Sequence, residues 1–353
     1  MIEIPVKIKD IEYPIVIKNQ ELLEFSKKIF EVIGKKNYLV VISQKVEKLY
    51  GKYLKIPKKN KFILKDGEKH KNFNNYKKIL EKALQLQLTR EDLIIAIGGG
   101  VVGDITGFVA STYMRGIDFV QVPTTLLACV DSSVGGKTAI DTCFGKNLVG
   151  TFYQPKQVLI NPKFLKTLDD RQFKTGLAEV VKYAFIEKSC QCEEELNLIN
   201  FLTEKTEDII NRDEKTLAKL ISICIKLKKS VVEKDEKEKN LRRILNFGHT
   251  YGHAIEKYTN YKKFTHGEAV VAGIEFAFNL AIKKNLIDKN YKFFAQDVIN
   301  KFRFRQLPKY KIEKIIKIMQ MDKKATREHI VFILPIDYSK VEAFKLLSSE
   351  ILQ

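Results

Sequence analysis

Short apolar runs alternate with helix-spaced segments through the first half of the chain. Tyr38–Ser43 (YLVVIS) and Lys61–Leu64 (KFIL) come first, then 93–97 (LIIAI), 119–122 (FVQV, ending at Pro123) and 158–160 (VLI, ending at Asn161 and Pro162). Unbroken hydrophobicity over so few residues predicts strands of a parallel sheet buried on both faces. Residues 73–88 carry apolar side chains at helical spacing, and this β-α-β alternation predicts a nucleotide-binding α/β layer. Past residue 170 the pattern changes: 173–188, 214–237, 252–258, 268–284, 289–302 and 312–321 suit helices, and only 329–334 (HIVFIL) reads as a late strand. The expected architecture is a Rossmann-like α/β N-terminal domain with a mostly parallel sheet over residues 1–170. A mostly α-helical C-terminal domain over residues 171–353 follows it.

The run at 93–97 leads directly into Gly98-Gly99-Gly100-Val101-Val102-Gly103-Asp104, which satisfies G-x-G-x-x-G. Glycines let a backbone approach a pyrophosphate, and a following helix N-terminus attracts its charge. The acidic residue normally found about 20 positions on is replaced by Gln121 and Val122, so a tight strand-to-helix turn is the plain alternative. A second glycine stretch, Asp131-Ser132-Ser133-Val134-Gly135-Gly136-Lys137-Thr138, lacks the spacer of a P-loop. Its backbone amides beside Lys137 still suit an anion, as do Lys146 and Asn147 close by.

His249 and His253 stand in NFGHTYGH, and His266 follows in HGE. The i,i+4 spacing puts the first two imidazoles on one face of a helix. Three of the chain's five histidines fall between positions 249 and 266. Imidazole is a favoured zinc ligand, and a catalytic zinc takes three protein groups plus an open position. Glu179, in GLAEVVK, is a carboxylate on an apolar helix face that needs a partner, and is the candidate third ligand. Satisfied core or capping histidines are the alternative. His70 and His329 are isolated and are not assigned to a metal.

Charge changes this picture in one respect. The chain has 353 residues with 62 basic and 43 acidic side chains, a formal charge of +19, which raises nucleic-acid binding. The basic residues are spread throughout, however, with no aromatic-basic repeat, zinc-finger spacing or RNP-like motif. A lysine-rich composition whose field draws in an anionic substrate is the reading adopted, with neither nucleic acid nor membrane as partner. Arg115, Lys137, Lys146, Lys182, Lys228 and Arg242 sit inside apolar or glycine-rich segments; so many cations are needed only if the ligand carries more than one negative group. A solvated surface lysine is the alternative for each taken alone, above all for Lys228 in its lysine-rich helix. The N-terminus has no secretory pattern, and no apolar run approaches the ~20 residues that span a bilayer. Five scattered cysteines (Cys129, Cys143, Cys190, Cys192 and Cys224) point to free thiols in a reducing cytoplasm.

In order and spacing, GGGVVGDITGFVASTYMRGIDFVQVPTTLLACVDSSVGGKTAID, GKNLVGTFYQP, GLAEVVKYA, LRRILNFGHTYGHAIE and HGEAV resemble the 3-dehydroquinate synthases. The resemblance covers about residues 61–282, with a fainter echo at Asp322-Lys323-Lys324. It implies a reaction on 3-deoxy-D-arabino-heptulosonate 7-phosphate with one bound NAD, regenerated in each turnover. An alcohol is oxidised, phosphate is eliminated, the ketone is reduced again, the ring opens and an internal aldol closes the carbocycle. The cofactor carries the hydride chemistry while the protein supplies orientation and charge. Glu179, His249 and His266 resemble the ligands of a zinc or cobalt ion acting as a Lewis acid, with His253 nearby as a proton relay. Lys137, Asn147 and Lys182 resemble the phosphate-binding set, with Arg115 reaching in from the second subunit of a homodimer. Lys228, Arg242 and Asn246 resemble the carboxylate-binding set. Asp131 and Glu238 would contact hydroxyls or orient lysines, and Lys323 is a looser match. The NAD stretches are Asp66-Gly67-Glu68-Lys69-His70-Lys71, Gly100-Val101-Val102-Gly103-Asp104, Thr124-Thr125, Lys137, Lys146 and Phe164-Leu165-Lys166-Thr167.

Two features depart from that pattern. Ser43 stands where relatives often carry a polar or acidic residue after the second strand of the layer, and the last strand runs into Pro335-Ile336-Asp337-Tyr338 rather than Ile-Gly. The rival readings are a sister sugar phosphate cyclase, whose substrate lacks the carboxylate that Lys228 and Arg242 suit, and a metal-dependent polyol dehydrogenase of related fold, whose neutral substrate would not need the cations.

Overall fold

The computed structural model describes residues 1–308, 310–320 and 329–352. The chain forms two compact units, Met1–Leu168 with Glu214–Ile225, and Asp169–Asp213 with Lys226–Gln353.

The first unit holds nine strands: β1 (Ile2–Ile8), β2 (Ile11–Ile17), β3 (Tyr38–Ser43), β4 (Lys61–Leu64), β5 (Leu93–Gly98), β6 (Asp118–Pro123), β7 (Lys137–Thr142), β8 (Gly145–Phe152) and β9 (Gln157–Ile160). Seven of them form one sheet in the order β1-β2-β9-β6-β5-β3-β4. Only the β1–β2 pair is antiparallel. The continuous apolar runs divide by parity, because successive strand residues point to opposite faces. Val40, Ile42, Ile95, Ile97, Val120 and Val122 join Phe25, Ile29 and Tyr50 on one face. Leu39, Val41, Ile94, Ala96 and Phe119 join Ile79, Ile105 and Val109 on the other.

The five predicted strands of this layer are present, but β1 and β2 were not anticipated. β1 alternates, with Ile4, Val6 and Ile8 buried and Glu3, Pro5 and Lys7 exposed, so it is half-buried rather than continuous in hydrophobicity. Pro5 faces Pro14 across the pair. Both are tolerable because β1 is an edge strand and β2 pairs with β9 only over Ile15–Ile17. Residues 137–152 form an antiparallel hairpin, β7–β8, also unanticipated because no residue of β8 is fully buried.

In the second unit, helices Asp170–Ile186, His249–Tyr258 and Lys289–Lys301 pack against the helix His266–Lys283, which carries Phe278. Its ring meets Phe185, Phe247 and Tyr291 edge-on at centroid distances of 5.2, 6.0 and 5.3 Å. The late strand, β10 (His329–Asp337), is not alone: β11 (Lys340–Leu347) pairs with it antiparallel, its burial too irregular to stand out in the sequence.

Asp92 shows how a polar residue pins the sheet. Its carboxylate accepts from the Asn37 and Thr89 backbone amides at 2.9 and 2.7 Å, tying the entry of β3 to that of β5. Although burial opposes it, these hydrogen bonds hold its pKa below the ordinary value. A carboxyl depressed in the folded state stabilises above its unfolded pKa of about 3.9, and that contribution is lost as pH falls through the folded value. Asp92→Asn is therefore expected to lower stability by about 1–3 kcal/mol near neutrality, with wild type and variant converging in acid; urea unfolding at several pH values measures both.

Candidate active site

Three helices of the second unit supply the metal candidates. Glu179 lies on Asp170–Ile186, His249 opens His249–Tyr258, and His266 opens His266–Lys283. Close backbone approach sets their spacing. A Cβ on Gly273 would lie 1.8 Å from the Gly248 carbonyl oxygen, and one on Gly252 would lie 2.9 Å from that of Ala269. A Cβ on Gly267 would lie 2.5 Å from the Thr175 Cα, one helical turn before Glu179. Gly248 also has φ +77°, the left-handed turn that starts the His249 helix. Thr265 and Glu268 form a capping box at the start of the His266 helix. Arg171 donates to both Glu268 oxygens at 2.8 Å, locking that start to the beginning of the Glu179 helix.

The result is a compact donor set. Glu179 Oε1 lies 3.6 Å from His249 Nε2 and 3.4 Å from His266 Nε2, and all three donor atoms fall within 4.8 Å of one another. His249 Nδ1 is 3.0 Å from the Phe247 carbonyl. A carbonyl only accepts, so Nδ1 carries the proton and Nε2 presents a lone pair. Glu179 is buried and Lys182 donates to its other oxygen. Two imidazoles and one carboxylate match the donor chemistry of a zinc- or cobalt-type ion. Burial first, then Lys182 and the neighbouring imidazoles, push His249 down to about 3. At His266 burial is outweighed by hydrogen bonds that the ring donates to the Glu179 and Glu256 carboxylates, which push it up to about 10. His253 is exposed, its ring 5.1 Å from that of His249 and 5.8 Å from that of His266.

Two of the carboxylate-binding candidates, Arg242 and Asn246, sit on one turn, and Lys228 lies on the helix Glu214–Lys234 before it. Asp235 accepts from the Lys239, Asn240 and Arg242 amides at 2.9, 2.7 and 3.0 Å. Arg242 is buried and donates to the Glu236 carbonyl, and Asn246 donates to Glu238 Oε1 at 2.6 Å. Lys228 is only 5% exposed, which removes the solvated-lysine alternative. Lys182 is buried as well. Lys323 lies outside the described residues.

In the first unit, β5 turns through Gly99 into the helix Gly100–Thr112, whose glycine N-cap brings no side chain. Val101, Val102, Gly103 and Asp104 form its first turns, and Thr124 donates its amide to the Gly98 carbonyl at 2.9 Å. Thr125 packs against Gly99, where a Cβ would lie 2.9 Å from its methyl. Lys71 is the electrostatic centre of this site. Its buried ammonium lies 2.8 Å from Glu68, 3.1 Å from Asp104 and 3.6 Å from Asp141, and it donates to Asn147 Oδ1 at 2.6 Å. Burial, with Glu68 and Asp141 close, pushes Asp104 up to about 6 against the pull of Lys71. Asp66 accepts from Ser43 Oγ at 2.7 Å, and Ser43 in turn caps the following helix, so the departure at Ser43 has a structural role. Gly67 is left-handed, Lys69 is exposed and His70 half-buried.

Other candidates are spread around this unit. Phe164 and Leu165 are core residues, Phe164 meeting Phe25 and Tyr50 edge-on. Lys166 pairs with Glu214 at 2.7 Å, and Thr167 hydrogen-bonds Tyr50. The second glycine stretch is a turn rather than an open cradle: Gly135 and Gly136 are buried and left-handed, and they lead into β7, whose first residue, Lys137, is exposed. Asp131 and Lys146 are half-buried, and Asn147 is left-handed on the hairpin. Arg115 is exposed on a turn where both it and Met114 are left-handed.

Sequence reasoning missed Glu256, Asp235, Glu268 and Asp141. Glu256 had a signal: it lies three positions after His253 and seven after His249, on the same helix face.

The fold defines the class first. The solved structure of 2-deoxy-scyllo-inosose synthase complexed with carbaglucose-6-phosphate, NAD+ and Co2+ matches with a TM-score of 0.84 at 25% identity, over 99% of this chain and 98% of that one. The 2-epi-5-epi-valiolone synthase from Streptomyces hygroscopicus subsp. jinggangensis 5008, with NAD+ and Zn2+ bound, shares the fold at 22% identity and the same TM-score, over 98% and 96% of the two chains. This is the architecture of the sugar phosphate cyclases. Residues 61–175 match the family model of the 3-dehydroquinate synthase N-terminal part and residues 176–325 that of its C-terminal part. The 3-dehydroquinate synthase of Dictyoglomus thermophilum (strain ATCC 35947 / DSM 3960 / H-6-12) is 43% identical over 99% of this chain and 96% of its own. That of Clostridium botulinum (strain Alaska E43 / Type E3) is 42% identical over 95% of each. The chain belongs to the 3-dehydroquinate synthase family.

Two outcomes follow from the site geometry. Glu179→Gln is expected to lower bound cobalt or zinc well below one per chain while the fold is kept; full occupancy by elemental analysis would remove Glu179 from the donor set. Gly273→Ala is expected to cost about 1–3 kcal/mol through overpacking and to weaken metal binding, because the Gly248 backbone must yield beside His249. Urea unfolding and metal titration read the two effects.

Proposed function

We propose that the chain converts 3-deoxy-D-arabino-heptulosonate 7-phosphate into 3-dehydroquinate and inorganic phosphate, with NAD and one divalent metal ion as cofactors. The convergence of Glu179, His249 and His266 within 4.8 Å, in a chain matched by both family models, carries this reading. It assigns NAD binding to the α/β part, residues 1–170, and metal binding and most of the substrate binding to the helical part, residues 171–353. When bound, NAD takes up and returns one hydride, and the metal ion acts as a Lewis acid on substrate oxygens.

The chain's own groups bind, orient and move protons. The glycine-capped helix start at Gly100 would receive the pyrophosphate, and Glu68 and Asp104, organised by Lys71, would supply negative charge suited to the positive nicotinamide. Glu179, His249 and His266 hold the ion. Lys228, Arg242 and Asn246, braced by Glu238, take the substrate carboxylate, and burial strengthens their hold on an anion. Lys137, Asn147 and Lys182 take the phosphate, which makes it a better leaving group. Exposed and adjacent to two ligands, the His253 imidazole can relay a proton, and Asp131 contacts a hydroxyl.

Arg115 completes the phosphate site from the partner of a homodimer. Phe144, Leu148 and Phe152, at 90, 41 and 42% exposure on the β7–β8 hairpin, support such an apolar contact. The enzyme works in the cytoplasm; five free thiols support a reducing compartment.

The deciding assay supplies the heptulosonate phosphate, cobalt or zinc, and NAD at far below substrate concentration. Phosphate is expected to appear over many turnovers per NAD without net NADH. Accumulation of NADH with no phosphate would overturn the cyclase reading in favour of a dehydrogenase.

A further inference from the structure

Glu256 is a buried carboxylate that the proposed chemistry leaves without a task. It lies on His249–Tyr258, 4% exposed, and its Oε2 is 3.1 Å from His266 Nδ1. The opposite nitrogen of that ring, Nε2, faces Glu179 Oε1 at 3.4 Å. The Glu256 contact is the shorter of the two and engages Nδ1, so Nε2 is the nitrogen turned toward Glu179. His249 receives the equivalent service from the Phe247 carbonyl at 3.0 Å, a neutral acceptor two residues away on its own chain segment. His266 begins its helix, and its ring is instead oriented from the neighbouring helix, which also carries His249.

We infer that Glu256 is a positioning residue for the metal centre: it holds His266 in the Nδ1–H form with Nε2 turned toward Glu179 and makes that ring a stronger electron donor. Carboxylates behind ligating imidazoles act this way in general, and their removal weakens metal binding about 10–100-fold. The helix face lends geometric support. His249, His253 and Glu256 share it, so one rigid element sets a ligand, the exposed histidine and the support for the ligand opposite. The backbone approach of Gly252 to Ala269 holds that element against the His266 helix. The inference rests on Glu179, His249 and His266 being the ligands.

A competing use of the same atoms exists, because His253, Glu256 and His266 also offer donor atoms within 4.8 Å of one another. Glu256 would then be a ligand of a second ion.

The experiment titrates cobalt into the full-length metal-free protein against a competing chelator, following visible absorption, for wild type, Glu179→Gln, Glu256→Gln, Glu256→Ala and His253→Ala. Gln keeps the shape and an acceptor but removes the charge; Ala removes both. The expected result is one cobalt per wild-type chain and a Kd raised about 10–100-fold in Glu256→Ala. Glu256→Gln should fall between Ala and wild type, with a shifted cobalt spectrum at saturation and unchanged NAD affinity. Wild-type Kd and spectrum in Glu256→Gln and Glu256→Ala would overturn the inference while leaving the ligand assignment intact. A second cobalt lost in His253→Ala would overturn it in favour of the two-ion arrangement. Unweakened binding in Glu179→Gln would instead sink the ligand assignment on which it rests. If Glu256→Ala fails to fold, the isosteric Gln variant decides.

Discussion

Backbone contact between helices governs the helical unit. At Gly248–Gly273, Gly252–Ala269 and Gly267–Thr175 no room exists for a side-chain carbon, so the three helices approach as closely as main chains can. Each contact sits one residue to one turn from a proposed ligand. The separations among Glu179, His249 and His266 are thereby set by the stiffest parts of the structure, and the ligand side chains have little freedom left to lose. A site held to a fraction of an ångström needs this kind of support.

Electrostatics imposes the second constraint. Buried charges are costly unless paired, and this chain buries several: Lys71 with three carboxylates around it, Lys182 against Glu179, and Arg242 against a loop carbonyl. Each is expensive as fold chemistry and sensible as site chemistry, because a desolvated cation or carboxylate acts on a ligand through a low dielectric. In the two units the arrangement repeats: a buried lysine on a carboxylate, with glycines close by to let backbone come near. Stabilising ion pairs elsewhere, such as Lys27–Glu24 and Lys28–Glu31, lie on the exposed surface and contribute little.

How much of the site could be read from the chain depends on distance along it. His249 and His253 were legible because helical geometry relates positions four apart, and the same rule reaches Glu256, three positions after His253. Glu179 was legible as a carboxylate out of place on an apolar face. Asp235 and Glu268 were not, since an acidic residue near a helix end looks alike whether it organises a loop or faces solvent. Lys228, whose lysine-rich setting also suited a solvated surface side chain, is buried.

From the chain alone came the strands and helices of the parallel layer, the glycine turn and the grouping of Glu179 with His249 and His266, because these follow from local periodicity and from residue types that carry few other roles. Tertiary structure alone decided the pairing of β1 with β2 and of β10 with β11, the core placement of Phe164, the hairpin after Gly136 and the Glu256–His266 contact. Those depend on which surfaces meet after the chain has closed loops of many residues, and no short-range pattern encodes that.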